Sequence, residues 1–106
     1  PRIIYLKMTI TKTIIMELST PLNYRARVLY TLIEKGSTSL KDFPYLAGFR
    51  TRISELKRNF NVKLIPTVVT DVDKYGSHYY YKHHSLPPEE VNNAIQVYNL
   101  INKSKN

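Results

Sequence analysis

Apolar residues recur at helical spacing in several stretches of the chain and alternate with polar ones in another. Leu22, Ala26, Leu29 and Ile33 fall every three or four positions, which gathers them on one face of a helix. Arg25, Arg27, Thr31 and Glu34 lie off that stripe. Thr20-Pro21 supplies a start, because proline is tolerated in a first turn, and Gly36 supplies a stop. A first helix is therefore predicted over 22–35. Ser37, Thr38 and Ser39 form a polar turn with N-cap candidates. Leu40, Phe43 and Leu46 follow as a shorter stripe, in which Pro44 removes a backbone donor. A second helix here has to be short or irregular, and Gly48 ends it. Phe49, Ile53, Leu56 and Phe60 resume the 3.6 period and predict a third helix over 49–59.

The pattern then changes. Residues 62–69 are β-branched and apolar with Pro66 inside, which suits an edge or bulged strand. Asp71 to Gly76 has turn composition, and residues 78–84 alternate and are rich in tyrosine. A β-hairpin with a polar tip is predicted. Pro88, Glu89 and Glu90 suit the first turn of a last helix, where carboxylates meet the positive end of the dipole. Val91, Ala94, Ile95, Tyr98 and Ile101 form its apolar stripe, widened by Val97 and Leu100. Ahead of all this, residues 3–6 and 9–18 are rich in Ile, Thr and Met and read as strand or extended arm. The expected organisation is an N-terminal strand or arm over 1–19, a central unit over 20–86 and a C-terminal amphipathic helix within 87–106, the last a candidate dimerisation element. Residues 1–7 precede Met8 and are kept out of the functional expectations.

Composition narrows the class. At 106 residues without a long linker the chain reads as one domain. Cysteine is absent, which excludes disulfides, thiolate zinc sites and cysteine nucleophiles among these residues. No stretch reaches the ~18 apolar residues of a membrane span. Lys7, Lys12 and Glu17 break the apolar patches near the start, so no secretory leader is expected. Sixteen Lys and Arg stand against eight Asp and Glu, a net charge of +8, which invites a polyanionic partner.

The charge is concentrated. Between Arg50 and Lys63 five cations stand against Glu55 alone, half of the net charge of the chain. On the wheel of the third helix Phe49, Ile53, Leu56 and Phe60 share one side. Thr51, Ser54 and Arg58 point the opposite way, with Glu55 beside them, and Arg50, Lys57 and Arg52 lie at the flanks. Polar groups on an outward helix face with cations at its edges suit a DNA major groove and its phosphates. A merely solvated helix face is the simpler alternative. The element order helix, short helix, helix, hairpin, helix adds weight, since the helix-turn-helix places its reading helix second in the pair and a hairpin after it stands where a wing would.

Residues 24–36, 39–46 and above all Phe49-Arg50-Thr51-Arg52-Ile53-Ser54-Glu55-Leu56-Lys57-Arg58 resemble the small winged helix-turn-helix domains common in phage and prophage proteins. In that group a helix of the form Arg-Ile-Ser-Glu-Leu-Lys/Arg precedes an apolar strand and a basic hairpin. The resemblance covers about residues 24–84. It implies an α+β fold with a three-helix core and a hairpin wing, to which this chain adds a C-terminal helix. It also implies base reading by Arg50, Thr51, Ser54 and Arg58. Arg52 and Glu55 have a second role open to them, holding the helix to its neighbours. Arg25, Arg52, Lys57, Lys63, Lys74, Tyr75 and Lys82 are the candidates for the DNA backbone.

Other chemistry finds less support. Tyr79, Tyr80 and Tyr81 alternate between faces and read as core and cross-strand cover rather than as a base-stacking platform. His78 and His84 share a strand face that His83 opposes, so a three-ligand metal site is not expected. No nucleophile elbow and no glycine-rich phosphate loop occurs, and neither enzymatic activity nor a cofactor is expected. The leading expectation is a double-stranded DNA-binding transcriptional regulator of the cytoplasm, at the nucleoid or in a host cell if viral, and a homodimer on DNA. A DNA-architectural accessory, such as an excisionase or replication factor, would use the same contacts. A protein–protein interaction module is the alternative from another class.

Overall fold

Asn23 decides where the first helix starts. Its backbone is extended, and its Oδ1 accepts a hydrogen bond from the Ala26 amide at 2.8 Å, which satisfies one of the free donors of a helix start. In the computed structural model, which describes residues 18–44 and 46–103, helix α1 therefore spans Tyr24–Lys35. Gly36 ends it at a φ of 84°, donating to the Leu32 carbonyl at 2.8 Å. That left-handed conformation favours glycine. The N-terminal arm expected over 1–19 falls almost wholly outside the described residues, as do residues 104–106.

Strand β1 is the pair Ser37–Thr38. Where a second helix was expected, the chain makes one 3-10 turn, Leu40–Asp42, capped by the Ser39 hydroxyl. Pro44 follows too closely for the turn to grow into an α-helix. Helix α2 spans Phe49–Asn59, as the spacing predicts. The first hairpin strand begins later than expected: Val62 is buried in the core ahead of it, and β2 spans Ile65–Val72. Strand β3 spans His78–Ser85. The sheet is antiparallel in the order β1-β3-β2, with Val68 opposite Lys82 and Thr70 opposite Tyr80. At the tip, Asp73 Oδ1 accepts from the amides of Tyr75 and Ser77 at 2.8 and 2.9 Å, and Gly76 takes a φ of 82°. A 3-10 turn at Pro88–Glu90 leads into α3, Val91–Ile101. Among the described residues the fold is thus α+β, with three helices and a three-stranded sheet.

Helix α1 is the centre of the core. Ala26, Val28, Leu29, Leu32 and Ile33 are buried on it, a wider face than the stripe predicts. Phe49, Ile53 and Leu56 of α2 and Ala94, Val97, Tyr98 and Ile101 of α3 join them in one cluster. Full burial of a Leu or Ile side chain contributes ~1.5–3 kcal/mol. The helix within 87–106, whose stripe suits either the core or a second copy, has its apolar face packed on α1 and belongs to the same core. Side chains also clasp the segment 19–23 to the C-terminal end of α3. Asn23 Nδ2 donates to the carbonyls of Ile101 and Lys103, both at 2.9 Å, and Asn102 Oδ1 accepts from the Leu22 amide at 2.7 Å. The Tyr98 hydroxyl donates to the Ser19 carbonyl at 2.5 Å. Leu22 and Leu100, both expected on apolar stripes, are exposed instead. No helix among the described residues is long and apolar enough to cross a membrane.

Candidate nucleic-acid interface

Two things set the orientation of α2. Its apolar residues sink into the core, and Glu55 ties it to α1. The Arg25 Nε donates to Glu55 Oε1 at 3.1 Å. The Arg52 Nε approaches the same oxygen at 3.0 Å without hydrogen-bond alignment, an ion pair within the helix. The two guanidinium groups also lie over aromatic rings, Arg25 at 5.5 Å from the centre of Phe60 and Arg52 at 5.9 Å from that of Tyr24. Arg25 and Arg52, both candidates for phosphates, pair with Glu55 between the helices, which for Arg52 and Glu55 is the second role the sequence leaves open. The single carboxylate of α2 is thereby spent inward, and among the described residues Arg50, Lys57 and Arg58 form no ion pair.

Those cations face the hairpin. Arg50, Ser54, Lys57 and Arg58 of α2 and Val68, Tyr80, Lys82 and His84 of the hairpin line a cleft of about 410 Å³, with Phe49 and Ile53 among its apolar lining residues. Alternation along the strands explains the hairpin side. Val68 pairs with Lys82 and Pro66 with His84, so these side chains share one sheet face. Of the expected base-reading set, Arg50, Ser54 and Arg58 converge here, while Thr51 is exposed outside the cleft lining. Among the expected backbone set, Lys57 and Lys82 line it as well. Lys63 is exposed beyond the end of α2. Lys74 and Tyr75 stand exposed at the hairpin tip, the ammonium 5.2 Å from the ring centre. Val68, Tyr80 and His84 are members of the cleft to which the sequence assigns no role, although strand alternation places Tyr80, Lys82 and His84 on one face.

The opposite sheet face anchors the hairpin. Lys41, on the 3-10 turn, forms an ion pair with Asp71 and lies 5.3 and 4.6 Å from the ring centres of Tyr79 and Tyr81. The hydrogen bond between them holds the Asp71 carboxyl below its ordinary value and the Lys41 ammonium above its own. Asp73 is occupied by the turn amides. Of the two carboxylates nearest the hairpin tip, Asp71 is offset by the Lys41 ammonium, while Asp73 shapes the turn and keeps its charge. The tyrosines depart from expectation: Tyr79 and Tyr80 are exposed, Tyr81 is half-buried, and none of the three enters the core.

His84 is the buried polar group of the cleft. Only 8% of its surface is exposed, its ring centre is 6.1 Å from that of Phe49, and its Nδ1 has no hydrogen-bond partner among the described residues. Burial, and then the charges of Lys57, Lys82 and His83, hold its pKa below the ordinary 6.5. Among the described residues no three His, Asp or Glu side chains gather in a way that could hold a metal ion. The arrangement offers a cationic, partly apolar cleft with hydrogen-bond donors on both walls. Comparison of the chain with protein families, with characterised proteins and with solved structures finds no match.

Proposed function

We propose that this chain is a winged helix-turn-helix protein that binds double-stranded DNA, with α2 as the reading helix and the β2–β3 hairpin as the wing. One observation carries the reading: Arg50, Ser54, Lys57 and Arg58 of α2 and Lys82 of the hairpin converge on a single cleft, while the only carboxylate of α2 is turned inward. Arginine matches the paired acceptors of guanine, and lysine offers a point charge to phosphate. On this reading Arg50, Ser54 and Arg58 meet base edges, and Lys57, Lys82, Lys63 and Lys74 meet the backbone. Transcriptional regulation is the leading role, and an architectural accessory would use the same surface.

The test is a fluorescence-anisotropy titration of the protein with duplex DNA over a range of salt. About 4–6 phosphate contacts give a log–log slope of about −4 to −5 through counterion release. A flat salt dependence, or no binding at low salt, overturns the reading. Tighter binding to an acidic protein than to duplex would assign the surface to a protein partner. Selection of bound sites from random duplex then gives the sequence read, and a palindrome would assign a two-fold dimer.

A further inference from the structure

A buried imidazole with an unpartnered nitrogen is an uncommon group to find lining a cationic cleft. Buried polar groups are normally satisfied, and a bare one in a native fold calls for an explanation. His84 is more than nine-tenths buried, lines the cleft between α2 and the hairpin, and has no hydrogen bond at Nδ1 among the described residues. The cleft around it is lined by cationic and apolar side chains together with the hydroxyl-bearing Ser54, Tyr80 and Tyr81. Lys57, Arg50 and Arg58 face the cleft from α2, and Lys82 does so from β3. Its strand neighbour His83 lies on the other sheet face, and from β1 the residue opposite is the uncharged Thr38. The ammonium of Lys41 is committed to Asp71 on that other face. Among the described residues no carboxylate lines the cleft. Among the described residues the cleft holds cations and no anion, and a phosphodiester crossing from the groove read by α2 to the hairpin would supply one; because Nδ1 is itself closed to solvent, the contact falls to the other ring nitrogen, Nε2.

We propose that the cleft is a seat for a backbone phosphate of the bound duplex, with His84 as its protonatable donor, so that DNA binding takes up one proton from solvent. This rests on the DNA-binding reading above and adds a ligand group and a linkage to it. In the free protein the proton is disfavoured, since imidazolium would be buried beside Lys57 and Lys82. A phosphate at Lys57 and Lys82 cancels those charges and accepts a hydrogen bond from the imidazolium, which raises the affinity of the ring for its proton. Binding must then strengthen as pH falls, by up to ~10-fold per pH unit between the free and bound pKa values. Val68, exposed on the hairpin wall of the cleft, is the apolar side chain placed to meet a deoxyribose beside that phosphate.

The experiment is made on the full chain. The pKa of each histidine is read by NMR of the imidazole carbons and nitrogens, first in the free protein and then with a random-sequence duplex at constant ionic strength. Duplex affinity is measured in parallel between about pH 5.5 and 8, a range that brackets an ordinary histidine. The expected result is a rise of at least one unit at His84 on DNA binding, smaller shifts at His78 and His83, and an affinity that increases toward low pH. The variant H84Q should bind duplex with that pH dependence removed, whereas H78Q and H83Q should retain it. If H84Q does not fold, the site-resolved pKa in the unaltered protein still decides. Duplex binding with an unmoved His84 pKa would overturn the proposal and leave the DNA reading intact; no duplex binding at any pH would remove the DNA reading itself. A poly-glutamate peptide that moves His84 as far as duplex does would also overturn it, by assigning the cleft to acidic protein.

Discussion

Replacing Glu55 by Gln separates the packing role of this cluster from any role on DNA. The variant keeps shape and helix propensity but leaves Arg25 and Arg52 without their shared carboxylate. Side-chain exposures of 33%, 30% and 24% for Arg25, Arg52 and Glu55 make this a half-screened network rather than a buried one. Exposed pairs contribute ~0.2–1 kcal/mol each, so the two together should be worth about 1 kcal/mol after solvent screening. For a domain of this size that lowers Tm by about 4–8 °C. Circular dichroism melts at neutral pH give the stability, and anisotropy titrations at two salt concentrations give the number of phosphates met. Because both arginines lie between α1 and α2, the salt slope for duplex should not change. A slope steeper by one or two would refute this reasoning and return Arg25 and Arg52 to the phosphate contacts. An unchanged Tm would show that the pairs do not hold the reading helix in place.

Three other outcomes are expected. Arg58→Ala should weaken a preferred duplex by ~1–3 kcal/mol more than a scrambled one, whereas Lys74→Ala should weaken both alike and reduce the salt slope by about one; equal losses for Arg58→Ala would make it a backbone contact. Truncation after Leu86 removes Ala94, Val97, Tyr98 and Ile101 from the core, so the remainder should lose its cooperative thermal transition in circular dichroism, and a cooperative melt would show that α3 is dispensable. The depressed pKa of His84 has a definite sign: below about pH 6.5 the unfolded chain binds the proton first. The stability it contributes is complete above that pH and is lost as pH falls toward the folded value. Urea midpoints between about pH 7.5 and 5 should therefore drop less in His84→Gln than in the unaltered protein, a comparison anchored on the ordinary histidine range.

Much of the local structure was legible in the chain because its causes are local. Helices α1 and α2 follow from a 3.6-residue apolar period with Gly36 as a stop, and the hairpin from β-branched and tyrosine-rich strands around an Asp-Lys-Tyr-Gly turn. The wheel of α2 also placed Arg50, Ser54 and Arg58 away from the core. Other features depend on neighbours far along the sequence. Strand β1 is two residues long and exists only because Ser37 and Thr38 find Ser85 and His84 opposite. The apolar stripe of α3 could be read in full, but a stripe does not name what covers it, and here α1 does. Arg25 and Glu55 are 30 positions apart, so no spacing rule distinguishes a paired arginine from one free for phosphate. His84 acquires its burial, and Lys82 its place across from Lys57, only when the hairpin folds beside α2. Periodicity and turn chemistry determine which elements form. The packing of those elements decides which charges are neutralised between them and which are left facing a common cleft, because that depends on three-dimensional distance rather than on sequence separation.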